Sequence, residues 1–500
     1  MNAFNYFFEN TSTLSKNFLV GKEEISYKEL HNSCLELSGW IKDKIGENKH
    51  ILLLSHNNLF FLKAYLSIIK SGNICIPLDP SIEPENYRYI SELTNPELVF
   101  LTLEVEKKLN LNSNKSIFPD DSIFSGIQKR HTSPSTQDPA PRIIESEADP
   151  SSFDRERCAE IIFTSGSTGK PKGVMISHKN LIANTGSIVE YLKLDQHDRM
   201  LVVLPFYYCY GLSLLHTHLR TGGSIVFNNS FIFLGSIIKN LLDYKCTGFA
   251  GVPSHFQILL RKSDSFKTTQ FPDLKYVTQA GGKLAPIFID EFKQAHPEVR
   301  FIVMYGQTEA TARLSWLPPE LYEIKKGSMG RGIPGVELKV INENGERIKP
   351  GEIGEVIARG DNIMTGYFAD EEGTRNTIRD GWLYTGDLGT VDEEGYIFLT
   401  ARSKEIIKVG GKRISPKEIE AVILQIPEVV DCTIEGIDDQ IQGEALKAII
   451  VLRKGTLEKV TEEFIKQHCS KHLALYKIPK IYELKDDLTI SATGKKIKKV

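Results

Sequence analysis

The chain of 500 residues is 41% hydrophobic and 25% charged, with a formal net charge of -3 at pH 7. These values are ordinary for a soluble globular protein of roughly two to four domains, and they argue against binding to nucleic acid or to an anionic membrane. The seven cysteines lack C-x-x-C spacing, which indicates reduced, mostly structural thiols. No apolar run approaches the roughly 20 residues of a membrane helix, and the N-terminus lacks the pattern of a signal peptide. We therefore expect a cytoplasmic protein.

Strand-like and helical runs alternate in the first part of the chain. The run HILLLS at 50–55 predicts a buried strand, the next run predicts a helix that ends at Gly72, and NICIPLDP at 73–80 predicts a second strand. This βαβ order predicts a mostly parallel sheet covered by helices. Residues 112–157 are rich in Ser, Pro and Asp and interrupt the pattern, so we interpret them as a long surface excursion, with a functional lid as the alternative.

A loop of glycine, lysine and hydroxyl side chains, TSGSTGKPKG at 164–173, follows the predicted strand AEIIFT. Its backbone N–H groups, hydroxyls and ammonium groups suit a polyphosphate. The spacing is not that of a Walker A loop, because only two residues separate Gly166 from Gly169, and G-x-G-x-x-G is absent from it. The alternative interpretation is a hairpin turn, which we disfavour because two lysines so close together would repel each other without a bound anion.

The later part of the chain contains two further patterns of predicted secondary structure. The runs EIGEVIARG and LGTVDEEGYIFLTA predict antiparallel strands with glycine turns, after an earlier helix capped by Ser177. Beyond Arg402, Ser415 is expected to cap a helix and Glu418 to complete a capping box. A further strand and helix follow, so we expect the last hundred residues to form a small separate α/β unit.

One match to G-x-G-x-x-G, GRGIPG at 330–335, is not expected to bind a dinucleotide. Pro334 lies inside it, and the run VELKVI that follows alternates like a strand. Because the dinucleotide loop must open a helix, we predict a turn before a strand here.

The loop at 164–173 resembles the phosphate-loop signature of the adenylate-forming (AMP-binding) superfamily, which includes acyl-CoA synthetases, peptide-synthetase adenylation domains and beetle luciferase. Four further motifs resemble those of the same family and stand in its order: YGQTEAT at 305–311, YTGDL at 384–388, ARSKEIIKVGGKRISPKEIE at 401–420 and ATGKKIKK at 492–499. The resemblance implies a mixed α/β fold. It would have a large N-terminal domain (1–401) of helix-flanked sheets and a distorted β-barrel, and a small mobile C-terminal domain (402–500) with a hinge near Lys404.

The resemblance also implies a reaction in two steps. A carboxylate attacks the α-phosphorus of ATP, pyrophosphate leaves, and the acyl group of the resulting acyl-AMP passes to a thiol. The implied cofactors are ATP, Mg²⁺ and either CoA or the phosphopantetheine of an acyl carrier protein. Because two anions must meet, metal and lysine charge are needed to stabilise the five-coordinate phosphorus.

The family's roles can be carried over residue by residue. Glu309 and Thr164 would bind Mg²⁺, Thr308 would donate to the α-phosphate, and Lys495 would reach the carboxylate and α-phosphate during adenylation. The β- and γ-phosphates would be held by Thr164, Ser165, Gly166, Ser167, Thr168, Gly169, Lys170 and Lys172. The adenosine and the outer phosphates would be held by Gly281, Gly282, Lys283, Tyr305, Gly306, Asp387, Arg402 and Arg413, with Asp387 on the ribose hydroxyls.

The acid is expected to contact PFYYCYG at 205–211 and GFAGVP at 248–253. The first segment lacks the Asp of amino-acid-activating relatives, and it carries Tyr207 and Tyr208 where many acyl-CoA relatives have His, which argues against a role that requires imidazole. Its aromatic side chains favour an apolar or aryl acid, with packing in the core as the alternative. The absence of an insertion before the hinge favours CoA as acceptor. The alternatives are a ligase that loads a carrier protein, an adenylating enzyme without a thiol step, a non-catalytic acyl-adenylate sensor and a luciferase-like oxidation.

Overall fold

The structure is a computed structural model that describes residues 1–111, 116–117, 153–164, 170–402, 405–439 and 442–485. The chain forms two compact units. The first unit comprises Met1–Asn229, Gln307–Arg313 and Gly360–Ile378, and the second comprises Ser230–Gly306, Leu314–Arg359 and Arg379–Val500. The predicted domain division at 402 stays a prediction, and the Ser/Pro-rich stretch lies almost wholly outside the described residues.

The secondary structure has the following bounds. The helices are α1 Ala3–Phe8, α2 Tyr27–Ile45, α3 Leu59–Lys70, α4 Pro84–Thr94, α5 Leu103–Leu109, α6 His178–Leu192, α7 Cys209–Thr221, α8 Leu234–Asp243, α9 Pro253–Lys262, α10 Asp264–Thr268, α11 Pro286–Ala295, α12 Glu371–Thr377, α13 Pro416–Ile423 and α14 Glu462–His472. The strands are β1 Asn17–Leu19, β2 Ile25–Ser26, β3 His50–Leu54, β4 Ile74–Leu78, β5 Leu98–Leu101, β6 Ser116–Ile117, β7 Cys158–Thr164, β8 Lys172–Ser177, β9 Arg199–Val202, β10 Ser224–Phe227, β11 Gly248–Gly251, β12 Tyr276–Gln279, β13 Arg300–Tyr305, β14 Ser315–Leu317, β15 Arg331–Gly332, β16 Val336–Ile341, β17 Gly354–Gly360, β18 Gly366–Tyr367, β19 Ile378–Arg379, β20 Trp382–Val391, β21 Ile397–Arg402, β22 Ile407–Val409, β23 Lys412–Ile414, β24 Val429–Asp439, β25 Gly443–Leu452 and β26 Ile481–Lys485.

The first unit contains the predicted mostly parallel sheet, in the order β18-β8-β7-β4-β3-β5-β6. Strands β7, β4, β3, β5 and β6 are parallel, whereas β8 runs antiparallel to β7 and β18 antiparallel to β8. Its apolar residues pack into a core with residues of α4 and α5, as expected for a sheet buried by helices. Strands β9, β10, β1 and β2 form further pairings in this unit.

The second unit is built from three groups of strands. Strands β11, β12 and β13 are parallel, and β14 and β15 continue them antiparallel. Strands β17, β20 and β21 pair antiparallel, which confirms the predicted antiparallel strands of this region. Strands β22 to β26 form a separate mixed sheet in which β26 runs parallel to β25. One sheet therefore ends with β21 at Arg402, and the next begins with β22 at Ile407.

Two local predictions are confirmed and one is wrong. Helix α6 begins with the Ser177 cap, whose side chain accepts from the Asn180 N–H. Within GRGIPG, Arg331–Gly332 form β15, and residues 333–335 make the turn that precedes β16. The predicted capping box at Ser415 is wrong, since its hydroxyl donates to the Thr400 carbonyl at 2.6 Å instead. Glu418 pairs with Lys477 at 2.6 Å. The Ser415 hydroxyl therefore binds a carbonyl and the Glu418 carboxylate binds a cation, so neither side chain caps the helix end.

In the described part of the chain, no helix is long and apolar enough to cross a membrane.

Candidate active site

The first and last residues of the phosphate-loop motif lie in two paired strands of the first unit. Strands β7 and β8 pair antiparallel, with Thr164 opposite Lys172. Gly173 is required at the base, because a Cβ there would lie 2.8 Å from the Ile161 side chain. Residues 165–169 lie outside the described residues, so their predicted contacts with phosphate stay predictions.

The two lysines of the loop each face an aromatic ring. The Nζ of Lys172 lies 2.7 Å from the Asp370 carboxylate and 4.9 Å from the centre of the Tyr367 ring. The Nζ of Lys170 lies 5.3 Å from the centre of the Tyr89 ring. Asp370 therefore supplies a carboxylate to Lys172, so the charge of this lysine is balanced without a bound anion. The Lys172 ammonium in turn lowers the pKa of Asp370.

Glu309 lies in a short 3-10 helix, Thr308–Ala310, and its carboxylate is half-buried. Its Oε1 accepts a hydrogen bond of 2.8 Å from the Tyr367 hydroxyl. Burial and the Glu309 charge raise the pKa of Tyr367, so this hydroxyl remains a donor. The neighbouring Thr308 Oγ1 lies 3.6 Å from the Cys209 Sγ. A threonine hydroxyl and an anchored carboxylate are thus neighbours in this short helix, and their predicted contacts with α-phosphate and Mg²⁺ stay predictions.

A strained turn fixes this pair of side chains. Thr311 has φ of 61°, a conformation that β-branched residues rarely adopt, and its hydroxyl donates to the Asn362 carbonyl at 2.7 Å. The buried Asn362 amide donates to the Arg313 carbonyl at 2.7 Å. Asn184 of α6 accepts from the Arg313 N–H at 3.2 Å. Sequence reasoning missed these supports, which come from segments far apart in the chain.

Three residues from three different motifs meet in the second unit. Asp387, only 4% exposed, accepts from the Tyr305 hydroxyl at 2.6 Å and from the Arg402 Nε at 3.0 Å. Asp387 and Arg402 lie directly opposite each other in the β20–β21 ladder, which explains their contact. Burial and the Asp387 charge raise the pKa of Tyr305 well above its ordinary value. These two hydrogen bonds hold the Asp387 carboxylate, a hydrogen-bond acceptor, in a fixed direction.

The GGK segment follows β12 in the same unit. Gly281 has φ of 83°, which favours glycine, and the Gln279 side chain donates to the Gly282 carbonyl at 2.8 Å. Lys283 donates to the Leu399 carbonyl of β21 at 2.8 Å, and burial followed by the Lys417 charge lowers its pKa. Arg413, also predicted to contact phosphate, is an exposed residue of β23.

The predicted acid-binding segment of the first unit, 205–211, is largely buried. The Tyr207 hydroxyl hydrogen-bonds Asp79, and burial followed by that charge raises its pKa. Tyr208 lies with its ring centre 4.8 Å from that of Tyr207, and burial raises its pKa to about 12. Gly211 is required, because a Cβ there would lie 2.1 Å from the Pro205 carbonyl oxygen. Both phenols are therefore neutral at physiological pH, where an imidazole would titrate.

The C-terminal region contacts α9 through one buried cation. The Arg261 guanidinium, on a side chain 4% exposed, pairs with Glu291 and donates from Nη1 to the carbonyls of Ile426, Pro427 and Val429 at 2.9, 2.7 and 3.1 Å. Lys404 and Lys495, predicted as the hinge and as a catalytic residue, lie outside the described residues.

Comparison with known proteins agrees with the motifs. Residues 9–368 match the family profile described as AMP-binding enzyme, and residues 418–495 match the AMP-binding enzyme C-terminal domain. The chain is 30% identical over 489 residues to an oxalate–CoA ligase of Arabidopsis thaliana, covering 95% of this chain and 92% of that one. It is 34% identical over 344 residues to a 2-succinylbenzoate–CoA ligase of Bacillus pumilus, covering 69% of this chain and 68% of that one.

A solved structure has the same fold. It is the o-succinylbenzoate CoA synthetase of Bacillus subtilis in complex with its acyl-adenylate intermediate, with a TM-score of 0.83, 24% identity, and coverage of 98% of this chain and 96% of that chain. The predicted mixed α/β fold of this superfamily is therefore confirmed. Since one family profile covers more than half of the chain, the protein belongs to the family of AMP-binding, adenylate-forming enzymes.

Proposed function

We propose that this enzyme activates a carboxylic acid with ATP to an acyl-adenylate, releasing pyrophosphate, and then transfers the acyl group to the thiol of CoA. The observation that carries the proposal is the meeting of Tyr305, Asp387 and Arg402. They come from three family motifs and join in one hydrogen-bonded group. A buried carboxylate in a fixed direction suits the two hydroxyls of a ribose.

The residues of the first unit fit a magnesium ion. No cluster of three or more His, Cys, Asp or Glu side chains occurs in the described ranges. Mg²⁺ does not require such a cluster, because it is usually bound through one or two carboxylates, substrate phosphates and water. Glu309 would supply the carboxylate and Thr164 a hydroxyl. When bound, the ion would neutralise the phosphate charge that opposes an incoming carboxylate.

Residues of the chain would bind ATP and stabilise the charge that develops in the first step. The phosphate loop binds the β- and γ-phosphates, Asp387 orients the ribose, and Thr308 donates to the α-phosphate. Lys495 stabilises the charge that develops as the carboxylate oxygen bonds to the α-phosphorus and the bond to pyrophosphate breaks. In the second step the CoA sulfur bonds to the acyl carbon, AMP leaves, and the thiol proton is released.

The two steps would use two arrangements of the C-terminal domain about a hinge near Lys404. Lys495→Ala should therefore lower acyl-AMP formation by roughly 10², the scale for deleting a charged transition-state partner, and leave thioester formation from synthetic acyl-AMP nearly normal. Lys404→Pro should slow only the thiol step, because proline fixes φ near -65°. Single-turnover kinetics of each half-reaction test this, and equal impairment of both steps by Lys495→Ala would exclude the two-arrangement mechanism.

For the substrate we propose an apolar or aryl acid, supported by the neutral Tyr207 and Tyr208 and by the absence of Asp from 205–211. A dicarboxylic acid is the second candidate, because a relative 30% identical over 489 residues is named an oxalate–CoA ligase. For the acceptor we propose CoA rather than a carrier protein, since the compared relatives are named CoA ligases.

A panel experiment tests the function and the substrate together. ATP–pyrophosphate exchange would be measured with aliphatic, aryl, dicarboxylic and amino acids, followed by thioester detection with CoA and with a phosphopantetheinylated carrier protein. Exchange with at least one simple acid and thioester formation with CoA are expected. Exchange with none of them would favour an acyl-adenylate sensor, and preference for an amino acid would exclude the proposed substrate class.

A further inference from the structure

Tyr367 joins two parts of the first unit that the sequence motifs leave separate. Its hydroxyl donates to the Glu309 Oε1 at 2.8 Å, and its ring centre lies 4.9 Å from the Lys172 Nζ. Lys172 is itself paired with Asp370 at 2.7 Å. One tyrosine therefore contacts both the carboxylate proposed to bind Mg²⁺ and a lysine proposed to bind phosphate.

The Tyr367 hydroxyl is not what fixes the local backbone. Strand β18 pairs with β8, with Tyr367 opposite Val174, and the Tyr367 N–H donates to the Thr374 hydroxyl at 2.8 Å. The next N–H, that of Phe368, donates to the Gly173 carbonyl at 2.7 Å. Because three backbone interactions hold the segment, removal of the hydroxyl should leave the backbone of β18 in place.

The Glu309 carboxylate needs such an anchor. It is half-buried on a one-turn 3-10 helix, and its side chain has three rotatable bonds whose freedom would otherwise be lost on binding a cation. A hydrogen bond to one oxygen orients the carboxylate in advance, as outer hydrogen bonds do for metal-binding carboxylates in general.

We infer that Tyr367 is a positioning residue, which orients the Glu309 carboxylate for Mg²⁺ through its hydroxyl and holds Lys172 against its ring. The inference rests on the proposed function, in which Glu309 binds the metal that accompanies ATP. It separates two effects within one side chain. The hydroxyl determines the affinity for the metal, and the ring positions Lys172, which is proposed to bind the phosphates.

The test uses Tyr367→Phe, which removes the hydroxyl and keeps the ring. Mn²⁺ binding to the enzyme–ATP complex would be followed by electron paramagnetic resonance, and binding of metal-free ATP by calorimetry. A hydrogen bond to a charged group typically changes affinity about tenfold or more. We expect the Mn²⁺ dissociation constant to rise about tenfold by this scale and the affinity for metal-free ATP to stay unchanged.

Tyr322→Phe is the matched control. The Tyr322 hydroxyl also donates to a carboxylate, that of Asp290 at 3.0 Å, and its ring also faces a lysine, with the Lys293 Nζ at 4.8 Å. This pair lies in the second unit and has no proposed role, so Tyr322→Phe should leave Mn²⁺ affinity unchanged.

Glu309→Gln and the double variant separate the inference from the function on which it rests. If Glu309→Gln weakens Mn²⁺ binding and Tyr367→Phe does not, Tyr367 has no positioning role and the proposed function stands. If neither variant changes Mn²⁺ binding, the assignment of Glu309 fails, and the inference fails with it. If the inference is right, Tyr367→Phe adds little in the Glu309→Gln background, because the carboxylate that it orients is gone.

Discussion

Two carboxylates proposed to serve the same nucleotide are held in different ways. Each accepts a tyrosine hydroxyl, Glu309 from Tyr367 at 2.8 Å and Asp387 from Tyr305 at 2.6 Å. Asp387 is 4% exposed and also pairs with Arg402 in the neighbouring strand, whereas Glu309 is half-buried on a short turn. The buried Asp387 carboxylate, paired with a cationic side chain, is a fixed hydrogen-bond acceptor. The half-buried Glu309 carboxylate is anchored through one oxygen, which suits an ion that is also bound by water and phosphate.

A third pair shows that the tyrosine alone does not make a site. Tyr65 donates to the Glu160 Oε2 at 2.7 Å, and its hydroxyl oxygen lies 2.8 Å from the His216 Nε2. Burial raises the pKa of Glu160 to about 7 and lowers that of His216 to about 3. His216 is therefore neutral, and Glu160 is protonated about half of the time near pH 7, inside the core and outside the motifs of the proposed site. The surroundings of each carboxylate, rather than its tyrosine, decide what it can bind.

The largest effect is expected for Glu309→Gln. Glutamine keeps the size of the side chain and removes the charge that would bind Mg²⁺. Mg²⁺-dependent pyrophosphate exchange should fall by roughly 10²–10³, the range for one preorganised transition-state contact. Exchange rates measured over a range of Mg²⁺ concentrations check this, and an unchanged rate at limiting Mg²⁺ would remove Glu309 from the site.

Asp387→Asn should have the next largest effect, and a different one. The new amide would place a donor against the Tyr305 hydroxyl or the Arg402 Nε, both of which donate to Asp387. We expect the KM for ATP to rise roughly 10- to 100-fold, the scale for a lost charge-assisted bond with a buried partner left unsatisfied. The Mg²⁺ dependence should not change. A change in Mg²⁺ dependence equal to that of Glu309→Gln would contradict the distinction between the two carboxylates.

Tyr305→Phe should produce a smaller change of the same kind. It removes one of the two side-chain donors to Asp387 and leaves Arg402, so the KM for ATP should rise only about threefold to tenfold. Steady-state kinetics at saturating Mg²⁺ measure this. A larger effect than that of Asp387→Asn would mean that Tyr305 acts on the nucleotide through its ring rather than through Asp387.

The smallest effect on catalysis is expected for Glu160→Gln, which should instead change the pH dependence of stability. The folded protein keeps the Glu160 proton up to a pKa of about 7, whereas the ordinary value is 4.5. The free energy of unfolding therefore falls as pH rises from 4.5 to about 7, by on the order of 1–3 kcal/mol. Thermal melting from pH 5 to 8 should show a smaller decrease for Glu160→Gln than for the unsubstituted protein. An unchanged slope would show that Glu160 does not retain its proton.

Many strands and helices were predictable because short stretches of sequence determine them. Apolar runs predicted the buried strands β3, β4 and β7, and Ser177 predicted the start of α6. The prediction failed at Ser415, where the cap residue was right but its hydroxyl bonds to Thr400. Capping rules describe what a helix end offers a side chain, and they do not include competing acceptors from another strand.

The sequence by itself determined the family, the order of the motifs, and the expectation that Tyr305, Asp387 and Arg402 contact one nucleotide. Only the tertiary structure decided which groups support them. Tyr367 lies 58 residues from Glu309 in the chain, and Asp370 lies 198 residues from Lys172. Arg261 contacts carbonyls 165 to 168 residues away. Such partners carry no local signature, because their hydrogen bonds depend on which strands and helices become neighbours. That is settled by the packing of the whole chain.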